Sequence, residues 1–215
     1  MRNNIRFLLK DLIIIYQLSR IWFSQKSYLR SMGYINSIKK GIPVNYNNEP
    51  VPWMNYHVVF FLEKRLNRNL SMFEYGSGYS TLYFQKLVKS IKSVEYNKDW
   101  FDKISKIVEN NVEIIFCNLD TNGNYAKSIL ASNAKFDIII IDGGDRMNCI
   151  EYSVNALNES GIILLDDSQR PSYKTGFEYL KKQGFKEITF SGLKPGTIEM
   201  YNTTIFYRGN NVLNI

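Results

Sequence analysis

Short apolar runs alternate with amphipathic stretches from residue 71 onward. Apolar runs of this length predict strands, and the helical periodicity between them predicts helices. We expect strands over 72–75, 91–96, 112–117, 136–142 and 161–166, with helices over 81–89, 100–110 and 150–157 between them. This alternation is typical of βαβ units, in which a parallel sheet carries helices on both faces. The nearly continuous apolar run from Phe136 to Ile141 fits a central strand of such a sheet.

The end of the chain departs from this alternation. A helix is predicted over 173–183, followed by strands over 186–190 and 203–207. Too few residues separate these two strands for a helical crossover, so we expect them to pair as antiparallel neighbours. The predicted fold class is therefore α/β, with a mostly parallel sheet and an antiparallel last strand.

Residues 5–29 form a separate apolar segment that is interrupted by basic residues. The longest uncharged stretch after Asp11 covers residues 12–19, which is too short to cross a bilayer, and the small-residue cleavage site of a secretory signal is missing. Two interpretations remain. An interfacial helix would place its basic residues at anionic lipid headgroups while Trp22 and Phe23 insert. A helix packed on the domain would turn one set of apolar residues inward: Ile5, Leu8, Leu12, Ile15 and Leu18.

Composition and charge narrow the function classes. The 215 residues are 45% hydrophobic and 22% charged, which excludes wholesale disorder. Residues 1–45 hold eight basic residues and one acidic residue, so they carry the whole net charge of +7, and residues 46–215 are neutral. We divide the chain into a basic extension, residues 1–48, and a domain, residues 49–215. A nucleic-acid groove would spread positive charge over the folded face that docks, so no nucleic-acid partner is expected.

Cysteine and histidine are scarce. Two cysteines exclude a disulfide scaffold and suit the reducing cytoplasm. One histidine, His57, excludes a histidine-rich metal site and makes a Ser-His-Asp triad a poor hypothesis.

A glycine turn follows the first predicted strand and opens the next helix. Gly76 and Gly78 allow a tight turn and the close approach of a ligand, and Ser77 lies between them. Ser80 and Thr81 can cap the helix that follows. They stand where a dinucleotide-binding turn would carry its third glycine, which disfavours a nicotinamide-dependent oxidoreductase.

Two acidic residues sharpen this interpretation. Glu74 stands two positions before Gly76, where a carboxylate would repel a pyrophosphate and favour a cationic ligand. Glu95 ends the next strand, where a carboxylate can accept both hydroxyl groups of a ribose. A ligand with ribose hydroxyls, a cationic amino-acid part and no phosphate is S-adenosylmethionine.

With these residues the sequence resembles the class I S-adenosylmethionine-dependent methyltransferases, over about residues 50–208. The resemblance implies their Rossmann-like fold, with seven strands in the order 3-2-1-4-5-7-6. It also implies a set of cofactor-binding residues: Glu74, Gly76, Ser77, Gly78, Ser80, Thr81, Glu95, Tyr96 beside the adenine, Asp120 near the adenine amino group, and Asp142.

Two further motifs are similar to those of a group of uncharacterised bacterial and viral methyltransferase-like proteins. One is a Pro-x-Pro-Trp-x-x-Tyr element whose tryptophan, Trp53, would close over the cofactor. The other is the Asp-Gly-x-Asp-Arg-x-x-Cys pattern from Asp142 to Cys149.

Three residues are candidates for catalysis. Asp142 follows the fourth strand at the carboxyl edge of the sheet, where open α/β folds bind ligands, so it is expected to contact the substrate or the methyl donor. Arg146 would either grip an anionic substrate group or pair with Asp142 or Asp145. His57 would be either a general base or a structural residue.

A metal ion is a further alternative. Asp142, Asp166 and Asp167 end neighbouring predicted strands and could hold Mg²⁺ through oxygen ligands. This is similar to the catechol-type O-methyltransferases, although those usually carry Asp-Asn where this chain reads Asp-Asp-Ser. The competing explanation is that Asp166 or Asp167 caps the following turn.

We therefore expect a cytoplasmic enzyme, with or without peripheral membrane contact, that transfers a methyl group from S-adenosylmethionine to an oxygen of a small-molecule or glycan acceptor. The alternatives are the nicotinamide-dependent oxidoreductase and a non-catalytic, membrane-associated binding scaffold.

Overall fold

The computed structural model describes residues 2–215, with the side chains of all of these except residues 2–9 and 132. The chain divides into two compact units. The first extends to Val51 and includes Pro195–Thr197, and the second comprises Pro52–Lys194 and Ile198–Ile215.

The first unit contains the helices α1 (Arg2–Phe23), α2 (Tyr28–Ser31) and α3 (Tyr34–Lys40). After α3 the chain turns back on itself through a bridge between Val44 and Pro50. The buried Ser37 hydroxyl group fixes this turn, since it donates to the Val44 carbonyl at 2.9 Å and accepts from the Val44 amide at 3.0 Å.

The described side chains of α1 are exposed, except that of Ser19, which is half-buried. Leu12, Ile15 and Leu18, which the packed-helix interpretation turns inward, are 58%, 61% and 59% exposed. These three side chains therefore do not form a buried stripe along α1. Ile5 and Leu8 lie outside the residues whose side chains are described. Among the described residues, no helix combines the length and apolarity that crossing a membrane requires.

The second unit is built on a seven-stranded sheet. Its strands are β1 (Ser71–Tyr75), β2 (Ser90–Glu95), β3 (Val112–Phe116), β4 (Phe136–Ile141), β5 (Leu157–Asp166), β6 (Lys186–Gly192) and β7 (Tyr201–Tyr207). The order is β3-β2-β1-β4-β5-β7-β6. The pairs among β1 to β5 are parallel, and β7 runs antiparallel to both β5 and β6. The predicted fold class, strand order and antiparallel last pair are confirmed.

Side chains alternate along the strands and supply a core on each face. The helices of this unit are α4 (Tyr56–Glu63), α5 (Tyr79–Phe84), α6 (Lys98–Ile104), α7 (Asn124–Lys127), α8 (Arg146–Ala156) and α9 (Lys174–Lys182). On one face Phe73 and Ile139 belong to a core with residues of α7, α8 and α9. On the other face Met72 and Ile140 belong to a core with residues of α4 and α5. Each fully buried aliphatic side chain contributes roughly 1.5–3 kcal/mol of stability.

The strand order reverses between β1 and β4, which are neighbours in the sheet. The chain leaves β1 toward β2 and β3 and returns on the other side as β4. In open α/β sheets, ligands bind in the crevice at the carboxyl ends of the strands at this switch point. The fold therefore predicts a ligand site at the carboxyl ends of β1, β2 and β4.

Candidate functional site

A cavity of about 630 Å³ opens at the carboxyl ends of β1, β2 and β4. This volume suits a ligand of the size of a cofactor. Eight predicted site residues line it: Trp53, Gly76, Ser77, Gly78, Ser80, Glu95, Tyr96 and Asp142. The structure adds six that the sequence analysis missed: Tyr79, Asn97, Asp99, Trp100, Lys103 and Gly143.

Backbone amides in the glycine turn are engaged within the protein. The Gly76 amide donates to the Val94 carbonyl at 2.8 Å, and the Gly78 amide donates to the Thr81 hydroxyl at 2.9 Å. The Ser77 amide donates to the Glu95 carboxylate, also at 2.9 Å. A dinucleotide-binding turn directs such amides at a pyrophosphate. These three amides already donate to acceptors within the protein. The turn therefore does not offer them as donors to a pyrophosphate.

Gly76 brings the ends of β1 and β4 together. Its φ of +93° lies in the left-handed region, and a Cβ atom there would stand 3.0 Å from the Cα atom of Gly143. Any side chain at this position would therefore combine backbone strain with a collision. The close approach leaves the floor of the cavity free of side chains.

Glu95 is the best-anchored acid of the cavity. Its Oε1 atom accepts hydrogen bonds from the amides of Tyr96 at 2.9 Å and Asn97 at 2.7 Å, and Oε2 accepts from the Ser77 amide. The Ser77 hydroxyl group also donates to Oε2, at a long 3.5 Å. An ionised carboxylate has about four acceptor positions, so one remains for a ligand hydroxyl group that replaces this long contact. The three amides fix the orientation of the carboxylate before any ligand arrives.

The helix after β2, α6, holds the glycine turn from the other side. The Trp100 indole Nε1 donates to the Ser77 carbonyl at 2.7 Å, and the Lys103 ammonium lies 4.8 Å from the centre of the Trp100 ring. The Asn97 side chain starts the helix by accepting from the Trp100 amide at 3.0 Å. This asparagine, two residues after Glu95, is the sequence signal that could have identified α6 as part of the site.

Glu74 does not line the cavity. Strand alternation turns it to the face of β1 opposite Phe73 and Tyr75, where it is completely buried. Among the described residues, neither of its carboxylate oxygens has a hydrogen-bond partner. Burial raises the pKa of Glu74 to about 7, although the nearby hydroxyl groups of Thr81 and Ser80 act in the opposite direction. Glu74 therefore lies beneath the first turn of α5, behind the wall that a ligand would touch.

Four other predicted residues also lie outside the set that lines the cavity: Thr81, Asp120, His57 and Arg146. Thr81 is buried and uses its hydroxyl group to hold the Gly78 amide. Asp120 caps α7, and the amides of Tyr125 and Asn124 keep its pKa below the usual value. His57 lies on α4 in a separate hollow, and its Nδ1 atom is 3.1 Å from the Ser191 carbonyl oxygen. This contact fits the structural interpretation of His57, because the residue lies outside the set that lines the cavity.

An ion cluster lies behind Asp142. Oxygen atoms of Asp142, Asp166 and Asp167 come within 4.8 Å of one another. The Lys194 ammonium is 2.5 Å from the Asp166 carboxylate and also contacts the Asp167 carboxylate. Lys194 lies in the loop between β6 and β7, 27 residues beyond Asp167. No local sequence motif therefore predicts its contact with the two aspartates.

Arg146 completes this cluster as a structural clamp. Its guanidinium donates to the Asp142 carboxylate at 3.0 Å, to the Asp166 carbonyl at 2.5 Å and to the Gly143 carbonyl at 2.9 Å. Of the two interpretations of Arg146, the structure shows the ion pair with Asp142. Asp145, in the left-handed conformation with φ of +45°, starts α8 at Arg146 and so places the guanidinium here.

The electrostatics of the cluster follow from burial and pairing. Burial and the neighbouring Asp166 raise the pKa of Asp142 well above its usual value, against the opposing charge of Arg146. Burial opposes the charged form of Lys194, yet Asp166 and Asp142 raise the pKa of Lys194 overall. Burial likewise opposes ionisation of Asp167, but Lys194 lowers its pKa overall. Three oxygen ligands would suit a hard cation, but the ammonium of Lys194 already lies among them.

No protein-family model matches the sequence, and no curated protein matches it. Solved structures do. A methyltransferase from Pyrococcus furiosus superposes with a TM-score of 0.54 at 18% identity, covering 90% of this chain and 98% of that one. For an rRNA methylase from Streptococcus thermophilus the TM-score is 0.54 at 15% identity, with 69% of this chain and 93% of that one covered. Fibrillarin from Aeropyrum pernix, solved with natively bound S-adenosyl-L-methionine, gives a TM-score of 0.51 at 11% identity, covering 66% and 68%.

These similarities establish the fold. The second unit of the chain has the Rossmann-like fold of the class I S-adenosylmethionine-dependent methyltransferases, as the sequence resemblance implied.

Proposed function

We propose that this protein binds S-adenosylmethionine and transfers its methyl group to an acceptor. The observation that carries the proposal is the character of the cavity wall. The Glu95 carboxylate is oriented to accept from a ligand hydroxyl group, while the amides that would bind phosphate already donate within the protein. The charged residues around the cavity are Glu95, Asp99 and Asp142 against Lys103, a balance that favours a cationic ligand.

The cofactor fits the residues at the carboxyl edge of the sheet. Glu95 would hold a ribose hydroxyl group at its remaining acceptor position, and Tyr96 would flank the adenine. The glycine turn, with no side chain at Gly76, would admit the methionine part, and Trp53 would cover it. When bound, S-adenosylmethionine supplies a methyl carbon that is open to attack by a nucleophile.

Asp142 is the proposed general base. It lines the cavity, 26% of its side chain is accessible, and Arg146 fixes its orientation. In the proposed reaction the acceptor oxygen would form a bond to the methyl carbon as the bond from that carbon to the sulfonium sulfur breaks. S-adenosylhomocysteine would leave with that electron pair, and Asp142 would take the hydroxyl proton. Burial, which raises the pKa of Asp142 above its usual value, makes its carboxylate a stronger proton acceptor than an exposed one. Arg146 would act as a positioning residue.

We propose a small molecule or a glycan as the acceptor and no divalent metal in the reaction. Neutral residues 46–215 offer no excess positive charge to a nucleic acid. The Lys194 ammonium supplies the positive charge among Asp142, Asp166 and Asp167 that a metal would otherwise bring.

Binding of S-adenosylhomocysteine tests the cofactor assignment. Calorimetric titration of the wild type is expected to give a dissociation constant in the micromolar range or below, and Glu95→Gln is expected to weaken it at least tenfold. Glu113→Gln, an acid on the neighbouring β3 whose side chain is 63% exposed, is the matched control and is expected to bind like the wild type. Binding of NAD instead of S-adenosylhomocysteine would support the oxidoreductase. Absence of binding by either ligand would support the scaffold.

The acceptor class needs a separate measurement. Wild type and Asp142→Asn are incubated with methyl-labelled S-adenosylmethionine and with separated metabolite, glycan and RNA fractions of a cell extract. Label is expected in the metabolite or glycan fraction with the wild type only, and adding EDTA is expected to leave it unchanged. Label in RNA would contradict the acceptor proposal while leaving methyl transfer intact.

A further inference from the structure

The helix α1 presents an unusual surface. Its apolar side chains from residue 12 to residue 23 are all exposed, from 37% for Trp22 to 70% for Phe23: Leu12, Ile13, Ile14, Ile15, Tyr16, Leu18, Ile21, Trp22 and Phe23. An apolar patch of this extent on a water-facing helix marks an interaction surface. A helix of this kind has lower free energy when the apolar side chains leave water.

The charges on α1 determine how it can meet its partner. Asp11 precedes the apolar stretch and Arg20 interrupts it, and no described helix meets the requirements for crossing a membrane. Lys10, Gln17 and Arg20 are spaced seven and three positions apart, so they fall on one side of the helix. A helix with one basic side and apolar residues on the others lies along an interface between water and an apolar phase.

Basic residues continue beyond the helix. Lys26 and Arg30 follow Trp22 and Phe23, so the aromatic pair stands between the positive charges of Arg20 and Lys26. Long basic side chains keep their charge in water while their stems cover apolar surface. Tryptophan is enriched at the same depth, at the boundary between headgroups and acyl chains. Both features fit an anionic lipid surface.

Self-association is the competing way to cover the helix. Residues 1–45 carry a net charge of +7, so bringing two copies of this segment together would oppose like charges. An anionic bilayer covers the same apolar residues and attracts those charges. Charge complementarity therefore selects the bilayer over a second copy of the chain.

We propose that α1 docks this protein on the surface of an anionic lipid bilayer, with Trp22 and Phe23 inserted and Lys10 and Arg20 at the headgroups. Each basic residue near such a surface strengthens partitioning by about fivefold. The docking is independent of the proposed methyl transfer, because none of these residues lines the cavity at the sheet edge.

Co-sedimentation of the full chain with vesicles tests the proposal. The vesicles contain either phosphatidylcholine alone or phosphatidylcholine with about a third phosphatidylglycerol, at low and high salt. The wild type is expected to sediment with the anionic vesicles at least tenfold more strongly than with neutral ones, and less at high salt. Trp22→Ser with Phe23→Ser, and separately Lys10→Glu with Arg20→Glu, are each expected to lower anionic binding at least tenfold.

Controls separate docking from general stickiness and from misfolding. Ile198→Ser with Met200→Ser removes two exposed apolar side chains from another part of the chain, at 88% and 69% exposure, and is expected to bind vesicles like the wild type. Circular dichroism checks that each variant is folded. Equal binding by the α1 variants and the wild type would overturn the proposal. Failure of the wild type to bind either kind of vesicle would also overturn it. So would a wild type that does not bind lipid but forms dimers, if Trp22→Ser with Phe23→Ser dissociates those dimers.

Discussion

Glu74 is a buried acid that gains nothing from ionising in the folded chain. Its pKa rises from 4.5 to about 7, so the stability that goes with its protonated form is complete below pH 4.5 and is lost as the pH rises through 7. The shift corresponds to a loss of about 2–3 kcal/mol between pH 5 and pH 8. At neutral pH and above, ionisation of Glu74 therefore lowers the stability of the folded chain.

The first prediction concerns that cost. Glu74→Gln cannot ionise, so its free energy of unfolding is expected to fall by about 2–3 kcal/mol less than that of the wild type between pH 5 and pH 8. Urea denaturation at the two pH values measures the difference. Glu113→Gln is the control on an exposed acid and should follow the wild type. If the free energies of unfolding of wild type and Glu74→Gln change equally with pH, the pKa of Glu74 is not raised in the folded chain and the prediction is wrong.

The second prediction concerns Lys194. Lys194→Met leaves Asp166 and Asp167 without their ammonium, and breaking a buried pair costs about 3–5 kcal/mol. The variant is therefore expected to be less stable than the wild type and to regain part of its melting temperature in millimolar Mn²⁺. The wild type is expected to show no such response, because Lys194 occupies the position of the cation.

Lys103→Met, a lysine at the rim of the cavity, is the control for this experiment and is expected to ignore Mn²⁺. Thermal unfolding with and without the metal gives the readout. If Mn²⁺ raises the melting temperature of the wild type as much as that of Lys194→Met, a metal can displace the Lys194 ammonium and the prediction is wrong.

At the scale of elements, α6 acts on the glycine turn through one hydrogen bond. Trp100→Phe keeps a ring but removes the donor to the Ser77 carbonyl, a loss of about 1 kcal/mol if the turn loosens. The third prediction is that binding of S-adenosylhomocysteine weakens about fivefold, with a small change in melting temperature. Trp22→Phe makes the same substitution on α1 and should leave calorimetric binding unchanged. An unaltered affinity in Trp100→Phe would show that the turn holds its shape without α6.

The elements differ in how far the sequence defines them. β4 was predicted over 136–142 and found at Phe136–Ile141, because a continuous apolar run leaves little choice. β5 begins at Leu157, four residues before its predicted start, because Leu157 pairs with Phe136 of β4 ahead of a shift in register. The helix predicted over 150–157 begins at Arg146, since the left-handed Asp145 turns the chain into it.

The same distinction applies to the site. The glycine turn and Glu95 form a local pattern with its own ligand chemistry, so the sequence could identify them. Trp100 and Lys194 act through contacts that only the folded chain creates, at separations of 23 and 27 residues from their partners Ser77 and Asp167. For Glu74 the sequence pattern was misleading. Its position before the glycine turn suggested a ligand contact, but strand alternation buries its side chain outside the set that lines the cavity.

At the scale of the whole molecule, charge is partitioned along the chain. Residues 1–45 carry all of the excess positive charge, and residues 46–215 balance theirs internally, as in the pair of Lys181 with Glu187 at 3.3 Å. Binding of a polyanion should therefore depend on the first segment, and lysines of the second segment should matter little even where they are equally exposed.

Two helix ends give a matched test of this partition. Lys39 and Lys40 stand in the last turn of α3, and Lys181 and Lys182 stand in the last turn of α9. The fourth prediction is that Lys39→Glu with Lys40→Glu lowers the salt dependence of binding to a DNA duplex, used as a polyanion, by about two in the logarithmic slope. Lys181→Glu with Lys182→Glu has the same change in net charge and the same helix-end geometry, and it is expected to leave the slope nearly unchanged. Titrations at several salt concentrations give both slopes. Equal losses in the two variants would mean that net charge alone governs the encounter, and the division of the chain into a basic segment and a neutral domain would then carry no functional weight.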